Sequence, residues 1–159
     1  MILLVSCISV SAFAVEDLKM DGSYVIETME YNNEKYVLKK LLGKQLMDSH
    51  LYRFPVFTYW LNEDGKFVLD DTSEELSWKP ERFIIRDIVS YCQKKAGELE
   101  KIEFNGVLIQ VCREEYYYSN GDFNIKWKAA GVPFGRIKSK AKAFGIDVSF
   151  QTNSFYIAK

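Results

Sequence analysis

Asn105-Gly106 constrains this chain more than any other dipeptide in it. A type I′ turn needs positive φ at both central positions, and Asn-Gly meets that need at the least cost. Folding about this turn sets Phe104 opposite Val107 and Ile102 opposite Ile109. These four and Val111 then share one face, and Lys101, Glu103 and Gln110 share the other. Any architecture must therefore contain this hairpin. Ahead of it, Pro80 suits the first turn of a helix, and Ile84, Ile85, Ile88, Val89, Cys92 and Ala96 recur at helical spacing. Lys94 and Lys95 favour a helix C-terminus, and Gly97 reads as the stop. An amphipathic helix on a half-buried antiparallel sheet is the expected unit.

Three further hairpins are expected. Residues 23–31 are rich in Tyr, Val, Ile and Thr and read as a strand broken by Asn32-Asn33. Residues 54–61 and 66–69 read as strands about Glu63-Asp64-Gly65, with Pro55 suggesting an edge or a strand entry, and 70–77 reads as an acidic loop. Residues 35–47 fit a helical stripe through Val37, Leu38, Leu41, Leu42 and Leu46, although Tyr36-Val37-Leu38 also suits a returning strand. After Cys112, a turn at Asn120-Gly121 would pair Tyr118 with Phe123, Tyr116 with Ile125 and Glu115 with Lys126. In the tail, 122–128 reads as a strand and 133–144 as a short helix with Phe134, Ile137, Ala141 and Phe144 on one face. Residues 147–150 and 155–158 read as a small hairpin about Thr152-Asn153. The expected fold class is α+β: a mostly antiparallel meander of hairpins with two or three helices on one face.

The first 14 residues are uncharged and almost wholly apolar or small, and Ala12-Phe13-Ala14 fits a signal-peptidase site. The expectation is a signal peptide over 1–14, one domain over 15–159, and a periplasmic or secreted product. Leu4-Val5-Ser6-Cys7 also resembles a lipobox, which would anchor the chain by lipid at Cys7. The sequence has no Asn-x-Ser/Thr sequon, a composition that suits a bacterial envelope.

Cys92 and Cys112 remain after export, an even count that implies a disulfide. Cys112 has the wrong parity for the apolar hairpin face, so a β-bulge at 113–115 is expected to turn it towards the helix. The alternative is two buried thiols.

The chemistry-bearing residues exclude the common catalytic routes. His50 is the only histidine, which leaves no nucleophile–base pair with either cysteine and no zinc ligand set. Asp70, Asp71, Glu74 and Glu75 lack the spacing of a calcium loop. Glu114 and Glu115 are strand neighbours that point to opposite faces, so they cannot converge as a glycosidase pair. No catalytic residue, metal or cofactor is expected. The net charge of −1 argues against a generic nucleic-acid binder.

The tail is nevertheless basic, and Trp127, Lys128, Arg136, Lys138, Lys140 and Lys142, with Tyr117, are the candidate contacts for a partner, an acidic protein in particular. The tail from 122 to 159, with Phe144-Gly145-Ile146-Asp147-Val148 and Phe155-Tyr156-Ile157, resembles the βαββ modules at the N-termini of secretins and TonB-dependent receptors. That resemblance implies a βαββ sub-unit engaged in periplasmic protein contacts. The functional expectation is an exported non-enzymatic binder of another protein, such as an inhibitor, immunity or assembly factor. The alternative is a hydrolase of envelope or extracellular polymers.

Overall fold

The structure, a computed structural model, describes residues 22–44, 46–48, 51–62, 67–77 and 83–158, with backbone alone for 46–48, 51–53 and 67–77. The expected signal peptide over 1–14, with Cys7, and also His50, Trp78 and Pro80 lie outside the described residues.

Ten strands form one antiparallel sheet: β1 (Tyr24–Tyr31), β2 (Glu34–Leu42), β3 (Leu46–Asp48), β4 (Leu51–Leu61), β5 (Phe67–Ser77), β6 (Glu98–Phe104), β7 (Val107–Tyr117), β8 (Phe123–Ala129), β9 (Arg136–Ala143) and β10 (Ile146–Tyr156). Their order is β3-β4-β2-β1-β10-β9-β8-β7-β6, with β5 also on β4. Two meanders are thus spliced where the first strand pairs the last, from Tyr24 opposite Tyr156 to Tyr31 opposite Val148. The crossover between them carries the one helix among the described residues, α1 (Ile88–Lys95).

The α+β expectation is therefore corrected: the described residues are nearly all sheet, with a single short helix. Residues 34–42 form β2, a strand shared by β1 and β4, so apolar residues on both its faces are buried or half-buried and mimic a helical stripe. Residues 70–77 belong to β5 and are not a loop. The expected tail helix is β9, and Phe134 (φ 60°) and Gly135 (φ 68°) hold a left-handed turn where that helix would have begun. The expected hairpin about Thr152-Asn153 is one continuous strand. Glu27 faces Thr152 and Ile26 faces Ser154, so Asn153 is the extra residue of a bulge, and its Nδ2 donates to Thr28 Oγ1 at 2.8 Å. With one strand in place of a helix and one in place of a hairpin, the βαββ resemblance of the tail does not hold.

Pro55 does not sit at an edge. It lies within β4, which has neighbours on both sides. Its carbonyl accepts from Gly43 N at 2.8 Å, so its missing donor also faces that side of the strand. On that side the pairing passes from β2 to β3, with Leu42 opposite Val56 and Leu46 opposite Arg53, and Pro55 falls at the break between the two pairings.

The Asn105-Gly106 hairpin forms as the sequence predicts, with Phe104 opposite Val107, Ile102 opposite Ile109, and φ of 50° and 78° in the turn. The second hairpin is one residue out of the expected register: Tyr117 faces Phe123, Tyr116 faces Asn124 and Glu114 faces Lys126. A longer loop, closed by Tyr118 N donating to Asp122 O, replaces the tight turn.

Helix α1 starts later than the spacing predicts. Asp87 caps it, with Oδ1 accepting from Val89 N at 2.9 Å and Ser90 N at 3.2 Å. The Ser90 hydroxyl on its other oxygen, together with these amides, holds its carboxyl below the usual carboxylate range. Ile84 and Ile85 instead bridge Pro133 and Ala130 in the loop between β8 and β9, and the Phe83 carbonyl accepts from Phe134 N. Phe83 packs edge-on against Phe54 and Phe134 and closes a core of Leu42, Phe54, Val56 and Ile84.

The Cys92–Cys112 disulfide forms, with Cα atoms 5.3 Å apart. The expected bulge at 113–115 is absent: β7 keeps an unbroken register with both β6 and β8. It is not needed, because β7 is covered on both faces. Val111 points into one core and Cys112, on the opposite face, lies under α1, and both are fully buried. Gly97 serves this bridge and is not the left-handed stop, a position held by Ala96 (φ 51°). A Cβ at Gly97 would stand 2.5 Å from Cys112 Sγ and 2.7 Å from the Arg113 carbonyl. Gly97→Ala is expected to lower stability by about 1–3 kcal/mol in denaturant titration, the usual range for overpacking.

Candidate functional site

Strand register gathers charge on the helix-bearing side of the sheet. Directly opposed residues share a face. Cys112 faces Lys128 and Glu114 faces Lys126, so both lysines lie on the face that α1 covers. On β1, Glu27 alternates with Val25 and Met29 and is buried with them. Lys40, opposite Val25, shares that face. A cleft of about 390 Å³ joins the two groups, with Phe83 and Phe134 along its wall and Arg136 between them.

Glu27 is 1% exposed and is held by Arg136. Arg136 Nε donates to Oε1 at 2.7 Å and its Nη2 donates to Oε2, a two-pronged pair. Arg136 also lies over the Phe150 ring at 4.1 Å, and its carbonyl accepts from Thr152 Oγ1 at 2.6 Å. Glu114, also buried, accepts from Tyr91 Oη at 2.6 Å and Tyr116 Oη at 2.9 Å. Burial first, and then the Glu114 carboxylate, push the Tyr91 phenol well above its usual range. For Tyr116 the Glu114 hydrogen bond is the leading cause of an upward shift. Each buried carboxylate is thus committed to donors and fixes a neighbour in place.

Lys128 is partly buried in the cleft and donates to the Phe134 carbonyl at 3.0 Å. Burial, reinforced by the charges of Arg136 and Lys126, lowers its pKa to about 8. The unfolded chain keeps the ordinary lysine value of about 10.4. Between these two values the unfolded chain binds the extra proton, so this group makes stability rise with pH across the window from about 8 to about 10.4. The stability difference between wild type and Lys128→Met is expected to be constant below pH 8 and to shift in favour of wild type through that window.

The residues singled out in the sequence do not form one patch. Lys128 and Arg136 enter the cleft. Trp127 and Lys138 face each other elsewhere on the sheet, with Lys138 Nζ 4.4 Å from the Trp127 ring and the indole N–H donating to Glu100. Lys140 is exposed and lines a second cavity of about 510 Å³ with Asn32, Asn33 and Asp147. Lys142 faces Phe123 and Asp147. Tyr117 is 67% exposed, and its hydroxyl donates to Glu115 at 2.9 Å. Glu115 pairs with Arg113 and not with Lys126 as the shifted register had suggested.

Sequence reasoning missed Glu27 and Phe144. A carboxylate at core parity between Val25 and Met29 signals a buried partner. Phe144 is 93% exposed and holds φ 54° at the tip of the β9–β10 turn. Its amide donates to Asp122 Oδ2 at 3.2 Å, which ties that tip to the β7–β8 loop and brings it near Tyr118.

No protein-family model matches the sequence, and no curated protein matches it. Crystal structures that share the fold include the following two. One is a "putative exported protein with YmcC-like fold" from Bacteroides fragilis, with a TM-score of 0.54 at 8% identity over 86% of this chain and 96% of that one. The other is a "putative lipoprotein" from Parabacteroides distasonis, with a TM-score of 0.53 at 6% identity over 87% and 97%. At these identities the likeness is one of fold. No helix among the described residues is long and apolar enough to cross a membrane.

Proposed function

We propose that this chain is an exported, non-enzymatic binding protein of the cell envelope that docks another protein through the loop end of β7–β10. The observation that carries this reading is Phe144. A bulky residue in the left-handed region is rare and costs backbone energy, and a ring almost wholly in water gains no burial in return. Such a residue is an anchor without its pocket, the kind that dominates protein interfaces. Tyr117 and Tyr118, 67% and 57% exposed, and Ile146 at 38% extend the apolar surface, and Lys140 and Lys142 border it. The partner is accordingly a protein with an apolar pocket and an acidic rim. Export is supported by the apolar first 14 residues and by the descriptions given to the two fold relatives.

The hydrolase alternative requires converging, available carboxylates. The two buried carboxylates among the described residues, Glu27 and Glu114, are each engaged by other side chains and do not supply such a pair.

Phe144→Asn separates the binding role from folding. Asn-Gly is the preferred pair for this turn, so the variant is expected to be as stable as wild type or more stable by up to about 1 kcal/mol. A single protein that co-purifies stoichiometrically with the wild-type chain from its native envelope is expected to be lost with the variant. Retention of that protein by Phe144→Asn would contradict the reading.

A further inference from the structure

We propose that the cleft between Glu27, Lys126, Lys128 and Arg136 is a binding site for a phosphate group, separate from the docking end. The cleft gathers like charges that the fold does not neutralise one for one. Arg136 is met by Glu27 in a two-pronged pair. Lys126 stands opposite Glu114, whose carboxylate offsets one positive charge, and its ammonium lies 5.7 Å from the Tyr116 ring, so Arg136, Lys126 and Lys128 face two carboxylates. Lys128 has the Phe134 carbonyl as its acceptor, which uses one of its three N–H donors. Bringing a partly buried ammonium beside a second lysine and an arginine costs free energy in the empty cleft, and an anion between them removes that cost.

The donor set selects among anions. A planar carboxylate is matched best by a guanidinium fork, and the fork here is already committed to Glu27. Lys126 and Lys128 are lysines, which act as point charges and suit a tetrahedral, doubly charged phosphate. At about 390 Å³ the cleft falls in the range of small-molecule sites, and the Phe83 and Phe134 rings give it an apolar wall beyond the phosphate. The phosphate belongs either to a free phosphorylated small molecule or to a lipid headgroup.

The full chain is titrated with inorganic phosphate and with glycerol 3-phosphate by calorimetry and thermal shift, and is mixed with phosphatidylglycerol vesicles in flotation. Saturable binding of either soluble phosphate, with a rise in melting temperature, is expected for a free ligand. Flotation that soluble phosphate competes away is expected for a headgroup. In both cases Lys128→Met is expected to weaken binding at least tenfold. Its empty form should melt close to wild type, because relief of the buried charge offsets the lost bond to Phe134. Lys126→Gln, at a less enclosed position, tests the same site should Lys128→Met not fold. Lys94→Gln on the exposed side of α1 should bind as wild type. Absence of binding to all three probes would overturn the proposal, as would equal binding by wild type, Lys128→Met and Lys126→Gln.

Discussion

Arg136→Met is expected to be the most damaging single substitution outside the apolar cores. It removes the two-pronged partner of Glu27, which is 1% exposed. Breaking a buried ion pair from one side costs about 3–5 kcal/mol, because the remaining charge stays buried and unpaired. The lower figure is expected here, since Arg136 keeps 20% of its side-chain surface exposed. The pair joins β1 to β9 across β10, so its loss also loosens the splice between the two meanders. Replacing both partners, as Glu27→Leu with Arg136→Met, should restore most of the stability, because an apolar pair of similar volume carries no stranded charge. Chemical denaturation of the two variants decides the matter. A double variant as unstable as the single one would show that the shape of the pair matters and its charge does not.

Removal of the disulfide comes next in magnitude. Cys92 and Cys112 are 20 residues apart in sequence, and the chain-entropy account gives about 3 kcal/mol for closing such a loop. For a chain of this size that corresponds to a fall of roughly 6–12 °C in melting temperature. Cys92→Ala with Cys112→Ala should show it, and reduced wild type should melt near the double variant. The bridge holds α1 on β7, and Gly97 and Tyr91 are placed by that contact. The loss should therefore extend to the hydrogen bond between Tyr91 and Glu114 and appear as faster amide exchange along α1. An unchanged melting temperature with unchanged exchange would mean that α1 is held by its apolar contacts alone.

Local rules read the turns well and the long strands badly. Asn105-Gly106 and Asn32-Asn33 are turns because their backbone states are set within the dipeptide, with positive φ at every position. The run from Arg136 to Ala143 alternates basic residues strictly with Ile137, Ser139, Ala141 and Ala143, which is a strand period. Pro133 and Phe134 nearby invited a helical reading of the same residues. Thr152-Asn153 carries turn chemistry, yet the fold spends it on a bulge inside β10. Whether a polar pair makes a turn or a bulge depends on the partner strand, and β1 lies more than a hundred residues away. The same limit applied to the disulfide. The pairing of Cys92 with Cys112 followed from their count, but the reason Cys112 points at the helix did not. Parity says which residues share a face; it does not say that both faces of β7 are covered. The cleft was half legible: Lys128 and Arg136 stood out as basic residues, while their tie to Glu27 requires β1 and β10 to pair. Phe144 was hidden by the helix assigned to its segment, on which it would have been one more apolar contact.

The docking end is tested most directly by placing a photoreactive phenylalanine analogue at position 144 and irradiating cells that export the chain. The account predicts one cross-linked protein from position 144, the same protein from position 118, and none from Val89 on the exposed side of α1. An equal pattern of cross-links from positions 144 and 89, or no protein cross-link from 144 at all, would contradict it.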